Sequence, residues 1–327
     1  MKTYLLLALL PLCSCMLAAA EPARTRAGTR VSTVADTVPP WDVTMHLGAG
    51  YDSNALQLDD RSQQETSTAV YSTDATVGWR PLVGERDVLR LTGTVGYDRR
   101  PQLDDLDTTR AGIGVATAKE FAALVGGASL NLQRYWVGGK GVATEVRSGV
   151  GVGWLRQGSA DLLALEAAVV PIDTLGDGPA GLAALIELNG RDESSGLLGA
   201  ANYRHWWMLE AWRIEAGLRG GRFLAEVGEE TYNVVQPWIA LRWRTATWMA
   251  DARLATDWRA YDAARTVLGS PESNHTTIAG LSLDRSLGHD LWLGTVLGAG
   301  VRSSDAVDRD YQRWLAALRL TWSHRGE

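Results

Sequence analysis

Cysteine, lysine and phenylalanine are nearly missing from this chain of 327 residues, and each scarcity excludes something. The two cysteines, Cys13 and Cys15, both fall in the opening stretch "MKTYLLLALLPLCSCMLAAA". There Lys2 supplies a positive n-region, residues 4–17 an apolar h-region, and Ala18 to Ala20 an A-x-A cleavage site, the plan of a secretory signal over residues 1–20. Cleavage after Ala20 leaves a mature chain with no disulfide, thiol nucleophile or thiolate metal site. The alternative is lipidation at Cys15, since Leu12-Cys13-Ser14-Cys15 loosely follows a lipobox. Of 32 basic residues only Lys2, Lys119 and Lys140 are lysine, and no basic run occurs. The formal charge of -6 becomes -7 once Lys2 is lost, which excludes a nucleic-acid surface. Beyond the leader no stretch reaches eighteen apolar residues, so a helical membrane span is excluded as well.

What is present is alternation. Residues 21–41, with Pro39-Pro40, read as a flexible arm. Then "VTMHLGAGYDSNALQL" sets Val43, Met45, Leu47, Ala49 and Tyr51 against Thr44, His46, Gly48 and Gly50, and Asp52-Ser53-Asn54 signals a turn. Period-2 segments of this kind recur to Trp322. Leu89, Leu91, Val95 and Tyr97 oppose Arg90, Thr92, Thr94 and Gly96; Trp248, Ala250, Ala252, Leu254 and Trp258 oppose Asp251, Arg253, Asp257 and Arg259.

Alternation alone suits a soluble sandwich as well as a membrane barrel. Three features select the barrel. The polar face mixes arginine, acids and glycine, which suits a wet interior. Fourteen tryptophans stand against two phenylalanines, and Tyr51, Trp79, Trp154, Trp243, Trp248 and Trp322 fall near segment ends, where aromatic interface girdles belong. Trp136, Trp206 and Trp207 abut turns too. Short turns such as 287–289 alternate with long polar connections, the pattern of periplasmic turns and external loops. The expected fold is therefore all-β: a closed antiparallel transmembrane barrel over residues 42–322, followed by a tail at 323–327, in an outer membrane with both termini periplasmic. An even strand number is required. Fourteen fits if residues 160–170 form a helix or an extended connection and residues 181–203 a hairpin; twelve and sixteen are the alternatives.

The start "WDVTMHLGAGYDSNALQL", the inward arginines and the terminal "LRLTW" resemble outer-membrane β-barrel proteins of diderm bacteria. Within these, residues 47–56 resemble the barrel start of the surface-lipoprotein-assembly-modifier-like group, which implies fourteen strands. Members of that group carry a helical-repeat domain ahead of the barrel, where this sequence has about twenty residues, so the resemblance implies the barrel and not lipoprotein handling. Such barrels end on an aromatic residue read by the barrel assembly machinery; here "SHRGE" follows Trp322. Outer-membrane lipid and lipopolysaccharide are the other implied partners.

Five histidines and several acidic clusters invite a search for chemistry. No histidine has a serine two residues on, the arrangement of membrane-embedded acyl hydrolases. A pair of His289 with Asp290 or Asp284 would have to form across strands. No H-E-x-x-H, paired cysteine or calcium loop occurs, so neither metal nor cofactor is expected. Asp59-Asp60 and Asp104-Asp105-Asp107 read as solvated external loops. The functional candidates are lumenal charges: Arg90, Arg110, Arg147, Arg213, Arg219, Arg242, Arg253, Arg259 and Arg285, with Asp74, Glu215, Asp251 and Asp257 as partners. Arginine keeps its charge and offers a rigid fork of donors, which suits anionic solutes or glycans. The expectation is a channel or export porin for small hydrophilic or anionic solutes. A sealed scaffold or surface-contact barrel is the alternative, and a membrane-embedded hydrolase ranks below both.

Overall fold

A strand whose side chains alternate between lipid and water must pair on both edges, because hydrocarbon offers no partner for a free backbone group. The computed structural model describes residues 40–53, 67–83, 87–103, 107–121, 124–156, 158–170, 196–226, 231–264, 271–305 and 310–325. They form fourteen strands. These are β1 (Trp41–Asp52), β2 (Thr68–Val83), β3 (Asp87–Arg99), β4 (Thr108–Phe121), β5 (Leu124–Val137), β6 (Lys140–Arg156) and β7 (Ser159–Val170), then β8 (Gly196–Leu209), β9 (Trp212–Ala225), β10 (Tyr232–Arg244), β11 (Trp248–Ala264), β12 (Pro271–Gly288), β13 (Leu291–Ser304) and β14 (Tyr311–Arg325). Each strand pairs antiparallel with its neighbours in sequence. β1 closes on β14 through eleven residue pairs, from Asp42 opposite Arg325 to Asp52 opposite Leu315.

Fourteen strands arise by a different partition from the one expected. Ser159–Val170 is neither a helix nor a connection but β7, paired with β6 and β8 along its length. Its alanines, leucines and glutamate favour helix in isolation. Two ladders override that preference by giving Leu163, Leu165 and Val169 an outward row and Ala160, Leu162, Ala164 and Ala168 a buried one. Gly196–Tyr203 belongs to the single strand β8; residues 181–195 of the expected hairpin lie outside the described residues, as do residues 1–39, with the leader and most of the arm. Ser323, His324 and Arg325 belong to β14 rather than to a tail.

The even-to-odd connections at 84–86, 122–123, 157–158, 210–211, 245–247 and 289–290 are short and share one end of the barrel with Trp41 and Arg325. This is the turn end. The other, loop end carries the longer connections 53–67, 100–107 and 171–195. One connection there is tight: Gly138 and Gly139 have φ of 54° and 78°, a hairpin geometry closed to most side chains. In the turn at 289–290, His289 and Asp290 are also left-handed, with φ of 49° and 65°. Tyr51 ends the first outward row and Ser53 follows β1, while Asn54 lies outside the described residues.

The outer wall is apolar through its middle, with Leu47, Val95, Ile113, Val150, Ile239, Leu254, Leu293 and Leu318 all exposed. Aromatic rings ring both ends. Tyr51, Tyr71, Tyr97, Trp258 and Trp314 are exposed toward the loop end, Trp41, Trp79, Trp207, Trp212 and Trp322 toward the turn end. Tyr51 contacts Trp314 at 5.1 Å and Trp212 contacts Trp243 at 6.1 Å between centroids. An apolar belt between two aromatic girdles is the surface of a barrel held in lipid. Such a barrel should fractionate with outer membranes and show heat-modifiable gel mobility; a soluble periplasmic protein without it would overturn this reading.

Candidate functional site in the barrel lumen

Inward rows follow directly from the strand register. Facing β8 to β11, one row reads Arg204, Gly217, Trp238 and Ala255, and the next toward the turn end reads Trp206, Glu215, Ala240 and Arg253. Below these lie Arg213, Arg242 and Asp251. Trp238 lies over Gly217, where an added Cβ would come within 2.5 Å of the indole ring. The arginines Arg204 and Arg253 stack on the same indole at 5.2 and 4.7 Å, a favourable placing of a cation on a ring face. Gly217→Val should therefore dislodge Trp238 and cost about 1–3 kcal/mol by overpacking, read as a lowered unfolding midpoint.

Ion pairs knit the rest of the interior. Asp42 accepts from Arg90 at 2.8 Å and Arg80 at 3.2 Å, joining β1, β2 and β3. Arg110 pairs with Asp74 and, at 3.3 Å, with Asp98. Arg147 donates to Glu145 through Nε at 2.9 Å. Arg219 pairs with Glu166 at 3.3 Å, Arg213 with Glu215 at 2.7 Å, Arg242 with Asp251 at 2.7 Å and Arg259 with Asp257 at 3.0 Å. Arg313 holds Asp52 through Nε at 2.9 Å, and Arg319 holds Asp284 at 2.7 Å. His46 bonds Thr321 at 2.8 Å.

A cavity of about 660 Å³ runs between these walls. Arg244, Met249, Trp292 and Ser323 border it toward the turn end, Arg110, Tyr135, Glu145 and Leu198 toward the loop end. Its lining includes eight arginines (Arg90, Arg110, Arg147, Arg219, Arg242, Arg244, Arg253 and Arg319) and five carboxylates (Asp74, Glu145, Glu215, Asp251 and Asp284). On the β7–β11 side the loop end is filled instead by Ala168, Leu198, Phe223, Tyr232, Val234 and Tyr261. Tyr232 contacts Phe223 and Tyr261 at 5.2 Å each.

The structure brings Arg90, Arg110, Arg147, Arg242, Asp251 and Arg253 to this cavity. Arg213, Asp257 and Arg259 face inward without bordering it, Arg213 lying 5.7 Å over Trp206 and Arg259 5.1 Å over Tyr232. Arg285 is a correction. It faces outward, 5.5 Å over the Trp248 ring directly opposite it on β11, because a strand end at the wet collar tolerates an outward cation. Trp206 is a second: its side chain is buried in the interior, and Trp207 alone takes the outward position.

The cross-strand pairing that a hydrolase would need at His289 does not form. Asp284 is held by Arg319, and Asp290 bonds His324 at 2.9 Å, not His289. His205 pairs with Asp161 at 2.7 Å on the outer wall. Glu145 shares the inward face with Arg147, as the alternation of its strand gives it, whereas Glu166 and Arg204 were missed as lumenal groups. Among the described residues no three His, Cys, Asp or Glu side chains converge as metal ligands. Asp107 accepts from Tyr97 at 2.8 Å and from the Arg100 amide at 2.7 Å; Asp59, Asp60, Asp104 and Asp105 lie outside the described residues.

A closed fourteen-stranded antiparallel barrel with an apolar belt and a charged lumen is an outer-membrane β-barrel. Solved structures agree on the fold. OmpT of Vibrio cholerae matches with a TM-score of 0.50 at 9% identity, over 87% of this chain and 97% of that one. The TodX monoaromatic hydrocarbon channel, as a deletion mutant, matches with a TM-score of 0.50 at 8% identity, over 91% and 95%. No family model and no curated protein sequence matches the chain.

Proposed function

We propose that the barrel is an outer-membrane channel for small hydrophilic solutes, with a preference for anions. The observation that carries this reading is the excess of arginines over carboxylates around a cavity bordered by residues from both ends of the barrel. Each guanidinium keeps its charge and presents several donors, so a passing carboxylate or phosphate can exchange one partner for the next. The likeness in fold to the TodX monoaromatic hydrocarbon channel supports the class. Trp41 of β1 and Arg325 of β14 lie at the turn end, so that end is read as periplasmic; lipopolysaccharide and the assembly machinery are the partners this implies. The likeness of residues 47–56 to the surface-lipoprotein-assembly-modifier-like group is carried no further than the barrel.

A second reading has its own observation. Most lumenal arginines are already held by a carboxylate, and the aromatic cluster fills one side of the loop end, as a sealed scaffold would require. Reconstitution in a planar bilayer separates the two. The channel reading expects open steps whose reversal potential shifts toward cations when Arg242→Gln or Arg253→Gln removes a charge. Correctly folded protein that stays silent would favour the scaffold.

A further inference from the structure

The outer wall of β7 breaks its own rule at one residue. Leu163, Leu165 and Val169 form its outward apolar row, and the next outward position toward the turn end is Asp161. A carboxylate facing lipid is costly unless it is hydrogen-bonded. Asp161 is only 4% exposed, because the outward side chains of β8 fold over it. Tyr203 donates to Oδ1 at 2.6 Å, and His205 Nδ1 bonds the same oxygen at 2.7 Å. Trp207 packs edge-on against the imidazole at 4.2 Å. Arg156 at the end of β6 places Nε 3.9 Å from the other oxygen, Oδ2, with its side chain 67% exposed.

Asp161 is thus spent on its neighbours and cannot serve a ligand itself. It positions the Arg156 guanidinium and the His205 imidazole instead. With Nδ1 committed to the carboxylate, Nε2 is the ring nitrogen of His205 left for another partner, and Arg156 offers an exposed guanidinium on the same patch. Both sit at the depth of the turn-end tryptophan girdle, where lipid headgroups lie. From there Leu163 and Leu165 continue along the wall as an apolar track for acyl chains. We propose that Arg156 and His205, positioned by Asp161, bind the phosphate of a glycerophospholipid in the leaflet at the turn end. The site is independent of whether the lumen conducts.

The test uses the full barrel in lipid nanodiscs containing a photoactivatable phosphatidylglycerol, with adducts mapped by peptide. Wild type should label the β6–β8 segment. Arg156→Gln should reduce that labelling about fivefold, the effect of one basic group at a headgroup surface, and His205→Gln should reduce it as well. Arg156→Lys should restore most of it, and Asp161→Asn should reduce it by releasing both donors. A photoactivatable diacylglycerol with the same chains should label less and ignore these substitutions, and inorganic phosphate should not displace the phospholipid. Because Arg156 is exposed, its variants should fold, as heat-modifiable mobility will report. Labelling of folded Arg156→Gln and His205→Gln equal to wild type, or displacement by inorganic phosphate, would overturn the proposal.

Discussion

Asp284→Ala is expected to lower the stability of the barrel by about 3 kcal/mol, the lower part of the range for breaking a buried ion pair from one side. Asp284 is almost wholly enclosed, and Arg319 reaches it from β14 with two contacts, at 2.7 and 2.8 Å. The strand between them, β13, passes underneath at Gly294, which stands opposite both residues in the register. A side chain there would collide with the carboxylate, so the glycine is what lets the pair bridge across a strand. Removing the carboxylate leaves a guanidinium facing the interior without its counter-charge. Arg319 borders the cavity, where solvation of the freed guanidinium should relieve part of that cost, hence the lower figure. Arg319→Met alone strands the acid in turn. Asp284→Ala with Arg319→Met should recover most of the loss, since replacing both members of a buried pair is often neutral. Urea unfolding in lipid vesicles, followed by tryptophan fluorescence, gives the three values. Losses that simply add, with no recovery in the double variant, would show that the pair is not a coupled unit.

This logic explains why so much of the interior could be anticipated and why its pairings could not. Alternation states which side a residue faces, so Arg90, Arg147, Arg242 and Arg253 were assignable to the lumen from their apolar neighbours alone. It does not state register. Arg319 finds Asp284 across an intervening strand, and Arg90 finds Asp42 across β2; neither pairing has a local signature. The rule also fails at strand ends, where the outer wall meets headgroups and water. Arg285 shares its outward row with Leu283 and Leu287, and its charge is what argued wrongly for the lumen. Asp161 shares its row with Leu163 in the same way. At Arg285 parity was the better guide and residue chemistry the poorer one. For β7 the reverse error occurred: helix-forming residues hid a period of two that Leu163, Leu165, Ala167 and Val169 carry in full.

The same parity argument yields the second large effect, at adjacent residues in the middle of β11. Leu254 faces outward between Ile239 of β10 and Ala279 of β12, and is 48% exposed to what would be hydrocarbon. Arg253, one residue earlier, points inward to the Trp238 indole at 4.7 Å. Leu254→Arg should cost about 2–4 kcal/mol, because a guanidinium near the membrane midplane has neither water nor a counter-charge. Arg253→Gln should cost only about 1 kcal/mol, the worth of its stacking on the ring, since a polar side chain remains solvated by the cavity. Single cysteines give an independent reading of the same faces. An aqueous maleimide should modify the cysteine of Arg253→Cys from the lumen and leave that of Leu254→Cys untouched in the intact membrane. The opposite labelling pattern, or a Leu254→Arg barrel as stable as the parent, would place the lipid on the other side of the wall and invert every inward assignment from Arg242 to Asp257.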